Sequence, residues 1–216
     1  DVRGLSCPEP VLILKSEVEK STDKSYKVVL MSFFIGFVPD ENSNKEIENC
    51  VDSVKDVFDG LGIDVRWFSS KAYHLTLVYL GERVGFLKML YIKYKLKKFN
   101  FSNFNIQLGG VKMGSSRRYR ELIFLEVFKG GDSMRKLCLT LRSLLGLRKD
   151  LNFIPHLTLG RVNKDLTPQE YSNIVKDLSI ISKKITRKNM SFTVNNIDII
   201  KVDAGSYQIL FSISSV

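Results

Sequence analysis

Apolar residues recur along this chain at two periods. Ile47, Val51, Val54, Phe58 and Leu61 step by four, three, four and three, one face of a helix over about 43–60. Ser43 with Glu46 reads as its capping box, and Gly60 and Gly62 as its stop. Met134, Leu137, Leu141 and Leu144, closed by Gly146, predict a second helix over about 132–146. A third starts at Thr167 (cap), Pro168 (first turn) and Glu170 (capping box), and buries Tyr171, Ile174, Leu178 and Ile181. The run 86–99 reads as a helix with Lys93, Lys97 and Lys98 outward. Period-two or β-branched runs predict strands at 26–38, 72–80, 103–113, 120–128, 153–162, 191–202 and 206–213.

The order repeats. Each half reads strand, helix, strand, helix, strand, and the middle strand of each opens with the same tetrapeptide. HLTL stands in "YHLTLVYLG" at 73–81 and in "PHLTLGRV" at 155–162, and the chain's two histidines, His74 and His156, head the two copies. Two like lobes related by a pseudo-twofold would bring these strands face to face.

Composition narrows the class. At 44% apolar and 26% charged the chain is globular rather than disordered. Its formal charge of +10 makes a polyanion such as nucleic acid a plausible partner, although a solvated lysine surface explains the charge equally well. "GSSRRYR" at 114–120 reads as a basic loop. Cys7, Cys50 and Cys138 are odd in number and far apart, which fits reduced thiols in a cytoplasmic protein better than disulfides or structural zinc. The apolar run 28–38 is too short to span a membrane and reads as a buried strand. No membrane partner is expected, and the chain reads as a monomer.

Within H-L-T-L, period two puts His and Thr on one face and both Leu on the other. Two such strands give two imidazoles flanking one point with a hydroxyl beside each. In-line displacement at phosphorus needs a base on the entering oxygen and an acid on the leaving one, and two histidines supply both near neutral pH. The threonines would meet the charge on the non-bridging oxygens. A two-histidine metal site is the weaker chemical reading, because no Cys, Asp or Glu within the motifs completes a tetrahedron. A duplication without activity stays open. Tyr79 and Trp67 are either base-stacking or core residues.

These residues resemble the 2H phosphoesterase superfamily, whose mark is a pair of H-x-T-x motifs. The nearest branch is the RNA 2′,3′-cyclic phosphodiesterases, also called 2′-5′ RNA ligases. "GIDVRWFSSKAYHLTLVYLGE" at 62–82, "FIPHLTLGRV" at 153–162 and the opening "VVLMSFFIGFVPDE" are each similar to that branch. The resemblance covers about 26–216 and implies one bilobal α+β domain there: two antiparallel sheets flanking a cleft, with helices outside. It implies opening of terminal 2′,3′-cyclic phosphates on RNA or on a cyclic nucleotide to 2′-phosphates, with no cofactor and no metal. His74 and His156 carry over as catalytic residues, and Thr76, Thr158 and Arg161 as phosphate ligands. The expected roles are His74 as acid for the leaving oxygen and His156 as base for water. Period two sets Arg161 on the wrong face unless the strand bends near Gly160. If Arg161 reaches the site, its charge lowers the pKa of His156 and favours that residue as base. Cleavage of 2′-5′ oligoadenylates and noncatalytic RNA binding are the alternative functions.

The segment 1–25 stands apart as an appendage. "DVRGLSCPEP" resembles the signature of TusA-type sulfur carriers, with Cys7 as the carrier position, but the segment is far shorter than a carrier domain. Pro8 and Pro10 permit a helix from about Val11, with Val11, Leu14 and Val18 as its apolar face.

Overall fold

The computed structural model describes residues 31–114, 121–184, 190–203 and 206–216. The appendage 1–25 with Cys7 and its expected helix, the start of the first strand, and the Arg117-Arg118-Tyr119-Arg120 loop lie outside the described residues. In chain order the elements are β1 (Ser32–Phe37), α1 (Glu41–Gly60), β2 (Val65–Trp67), β3 (Leu75–Gly81), α2 (Phe86–Lys97) and β4 (Phe104–Met113). There follow β5 (Leu122–Lys129), α3 (Gly131–Leu144), β6 (His156–Val162), α4 (Pro168–Lys184), β7 (Ser191–Val194), β8 (Asn196–Asp203) and β9 (Ser206–Ser214). The class is α+β, as expected.

All strand pairs are antiparallel, in the order β7-β4-β5-β6-β3-β1-β8-β9, with β2 added on β6. The order mirrors about the β3/β6 seam: β5 answers β1, β4 answers β8, and β7 answers β9. The seam is a single rung, Leu75 opposite Leu157. Two antiparallel halves therefore meet along one line.

The two repeated units also exchange strands. β4, which follows the first unit, pairs with β5 of the second, and β8, which follows the second, pairs with β1 of the first. Neither unit closes its sheet alone, so each half is completed by the other's last strand.

Three local expectations change. The strand expected over 191–202 is two strands: β7 lies on the β4 edge of one half, and β8 lies between β1 and β9 in the other. The break falls at Asn195, where consecutive asparagines interrupt the β-branched pattern. Helix α1 starts two residues early and is capped by Asp40, whose carboxylate accepts from the Ser43 amide at 2.7 Å, so Ser43 is not the cap. Ser43 is instead buried and donates its hydroxyl to the Ser191 carbonyl at 3.4 Å. Leu61, the last residue of the expected stripe, is exposed beyond the helix end. The third helix follows its code: Thr167 and Glu170 exchange hydrogen bonds, 2.9 Å to the Glu170 carboxylate and 3.2 Å back to the Thr167 hydroxyl.

The core lies on the leucine side of the seam. Leu75, Leu77, Leu157 and Leu159 are fully buried together with Ile47, Val54 and Phe58 of α1 and Met134, Cys138 and Leu141 of α3. Each such side chain contributes about 1.5–3 kcal/mol relative to exposure. Cys50 and Cys138 are free, buried thiols, and burial pushes them up to about 12 and about 11.

Candidate active site

The alternation expected of H-L-T-L is present in both copies: Leu75, Leu77, Leu157 and Leu159 are buried, while His74, Thr76, His156 and Thr158 are only partly buried. The Leu75–Leu157 rung fixes how the copies meet. Antiparallel register carried one step either way sets Thr76 against His156 and His74 against Thr158, all on the face opposite the leucines. This register puts the two histidines on opposite sides of the rung.

Both rings are held alike. His74 Nδ1 donates to the Ala72 carbonyl and His156 Nδ1 to the Ile154 carbonyl, each at 2.7 Å. A carbonyl only accepts, so Nδ1 carries the proton in both rings. Nε2 of each neutral ring is therefore the nitrogen that can accept a proton, and that can give it up once the ring is charged.

Their surroundings differ. Phe34 stacks on His74 with centroids 4.2 Å apart at 26°, whereas Phe124 meets His156 edge-on at 5.4 Å. The His74 hydrogen bond is partly buried and that of His156 is exposed. Burial lowers the pKa of His74 to about 4, against its bond to Ala72; the charge of His156 lowers it further. The two imidazoles thus sense each other's protonation.

Arg161 reaches this face by a bulge. β6 runs opposite β5 as Thr158–Phe124 and then Gly160–Ile123, passing over Leu159. The skipped residue reverses the alternation, and Arg161, opposite Leu122, returns to the side of His156 and Thr158. This is the bend near Gly160 that the sequence demanded. Glu121 holds the guanidinium at 3.1 Å, both side chains being largely buried.

The first half repeats the device. β3 passes over Leu77 between Thr76–Gly36 and Val78–Ile35, and Tyr79, opposite Phe34, comes to the histidine face. Tyr79 thus stands five residues beyond its histidine, as Arg161 does beyond its own. Both strands come close to a neighbour's backbone at a glycine. A Cβ on Gly36 would lie 2.2 Å from the Leu75 carbonyl oxygen, and one on Gly160 2.9 Å from that of Arg66. Trp67 is a core residue: it points away from this face and packs edge-on against Phe58 at 5.6 Å.

Sequence reasoning missed Phe34, Phe124, Glu121 and Arg66. Arg66 is the register partner of Arg161 and lies over the Phe68 ring at 5.6 Å, extending the basic rim. Phe34, Phe124 and Arg66 sit on neighbouring strands and Glu121 just before β5, and only the pairing register brings them to the histidines. Arg66 alone had a local signal, an arginine just ahead of the first motif.

Comparison with known proteins places the fold and the family. The sequence pattern of the 2′-5′ RNA ligase superfamily matches residues 66–206, most of the chain. An RNA 2′,3′-cyclic phosphodiesterase of Archaeoglobus fulgidus is 32% identical over 108 residues, 49% of this chain and 60% of that protein. The match thus spans less than two thirds of that relative's length. Among solved structures, E. coli LigT complexed with 3′-AMP superposes with a TM-score of 0.61 at 17% identity, covering 87% of this chain and 99% of LigT. TT0787 of Thermus thermophilus gives 0.56 at 16%, covering 85% and 97%. The chain belongs to the 2′-5′ RNA ligase superfamily, the 2H phosphoesterases. It shares the LigT-like fold.

Proposed function

We propose that the domain over 26–216 hydrolyses 2′,3′-cyclic phosphate termini of RNA to 2′-phosphates without a metal. The observation that carries this reading is the pair of Nδ1-anchored imidazoles across one rung, each with Nε2 as its working atom. The activity for which the Archaeoglobus relative is named and the 3′-AMP bound to LigT support the substrate class.

Water attacks phosphorus opposite the 3′ oxygen. One Nε2 takes the water proton, the other gives a proton to the departing 3′ oxygen, and the 2′ ester survives. Thr76 and Thr158 hydrogen-bond the non-bridging oxygens, and Arg161, oriented by Glu121, meets their charge. His74 is the base and His156 the acid, the reverse of the sequence-based expectation. Burial against the stacked Phe34 ring keeps His74 neutral at working pH, which leaves the acid role to His156, whose ring Phe124 meets only edge-on. The expectation relied on the charge of Arg161 acting on His156, and Glu121 offsets that charge.

The test is incubation with a 2′,3′-cyclic mononucleotide and with a 2′-5′-linked dinucleotide. A 2′-monophosphate from the first alone is the expected result. Cleavage only of the second would move the chain to the oligoadenylate reading. Turnover of neither would leave a binding module.

A further inference from the structure

Helix α2 carries apolar residues on two opposite sides. Ile92 and Leu96, 2% and 0% exposed, dock it on the core with half-buried Met89. Facing solvent are Phe86 and Leu87, 76% and 80% exposed, and Leu90, Tyr91 and Tyr94, each about half exposed. At the helical repeat these five fall within an arc of about 140°. Lys88 and Lys95 border one edge and Lys93 the other, while Lys97 and Lys98 close the C-terminal end. No acidic residue occurs between Glu82 and Glu121. An occupant must therefore offer apolar depth and negative charge together.

Three observations narrow it. Lys95 lies over the Tyr91 ring at 5.6 Å and Lys98 over the Tyr94 ring at 4.3 Å, so one face of each ring is already taken by an ammonium. Phe86 and Leu87 are the most protruding members, and leucine offers no ring for a base to stack on. On its inner side α2 sends Lys93 over Phe211, the register partner of Ile199, which pairs with Ile35 on the leucine face of the sheet. The exposed stripe thus looks away from the histidines, and RNA ending at the active site has no direct line to it. A second copy would oppose lysines to lysines.

We propose that the outer face of α2 docks flat on an anionic lipid bilayer. Phe86, Leu87 and Leu90 enter the acyl boundary, Tyr91 and Tyr94 sit at headgroup level with Lys95 and Lys98 on their rings, and Lys88 and Lys97 reach lipid phosphates along apolar stems. This attachment is peripheral; among the described residues no helix is long and apolar enough to cross a membrane. It is independent of the proposed reaction.

The full chain is to be floated with vesicles of phosphatidylcholine alone and of phosphatidylcholine with phosphatidylglycerol in equal parts. Binding to the anionic vesicles only, weakening steeply with salt, is expected. The double substitution Phe86→Ser, Leu87→Ser should lower that binding by about tenfold or more, with Tm unchanged because both side chains are exposed. Equal flotation on both vesicles, no flotation on anionic ones, or an undiminished double variant would overturn the proposal. So would a loss of single-stranded RNA affinity in the variant, or a wild-type dimer that the variant abolishes.

Discussion

Leu75 of β3 is the register partner of Leu157 of β6, and this rung is where the two halves of the sheet meet. Each motif histidine precedes its leucine by one residue, so the rung sets the spacing of the imidazoles. Leu157→Ala should cost about 2–5 kcal/mol in urea unfolding. It should also lower kcat by about tenfold or more under conditions where the protein stays folded, since misplaced reacting groups lose rate steeply. A destabilised variant with unchanged kcat would show that the rung serves packing alone.

His74→Ala and His156→Ala should each lower kcat by about 10²–10⁴, because each ring moves a separate proton. Both rings project from the sheet face, so circular dichroism should stay that of the folded protein. A near-normal rate in either variant would remove that histidine from the mechanism.

The pH profile of kcat/KM should be a bell whose acidic limb belongs to His74, at about 4. Phe34→Leu thins the cover over the ring, so its charged form becomes less disfavoured and the acidic limb should move up towards about 6.5. Arg161→Gln should raise KM and leave that limb in place. A limb that moves with Arg161 and not with Phe34 would restore the opposite assignment of base and acid.

Stability should follow the same group. His74 is near 6.5 unfolded and lowered to about 4 folded. Its contribution is complete above 6.5 and is lost as pH falls towards 4, because only the unfolded chain takes up the proton. At pH 5 the loss is about 2 kcal/mol relative to pH 7. Urea midpoints at both pH values should show it in the wild type, and His74→Gln should remove most of the difference. An equal pH dependence in the variant would mean that the ring titrates normally.

Turnover should persist in excess EDTA. Among the described residues no three of His, Cys, Asp and Glu gather as a metal site, and the anion's charge falls to Arg161 and the threonines. Loss of activity on chelation, restored by a divalent ion, would refute the metal-free reaction.

The sequence by itself determined the elements whose cause is local. Thr167, Pro168 and Glu170 fixed the start of α4, because capping is settled within one turn. The alternation in HLTL fixed which side chains are buried and which face out, because strand geometry alone enforces it. At the start of α1 the local code misled: Ser43 read as the cap, but it is buried and bonded to the Ser191 carbonyl, and Asp40 holds the helix end.

Register was decided only by the tertiary structure. Nothing local in "TVNNIDI" says that Val194 and Asn196 pair with opposite halves of the sheet. Likewise the bulge at Leu159 turns Arg161 to the histidine side, against the plain period of two. Phe34 and Phe124 gain their influence on the two imidazoles through strands distant in sequence. The two histidines proposed as reacting groups are thus written in two tetrapeptides. Which ring stays neutral depends on burial, and burial is a property of the assembled sheet rather than of any segment of the chain.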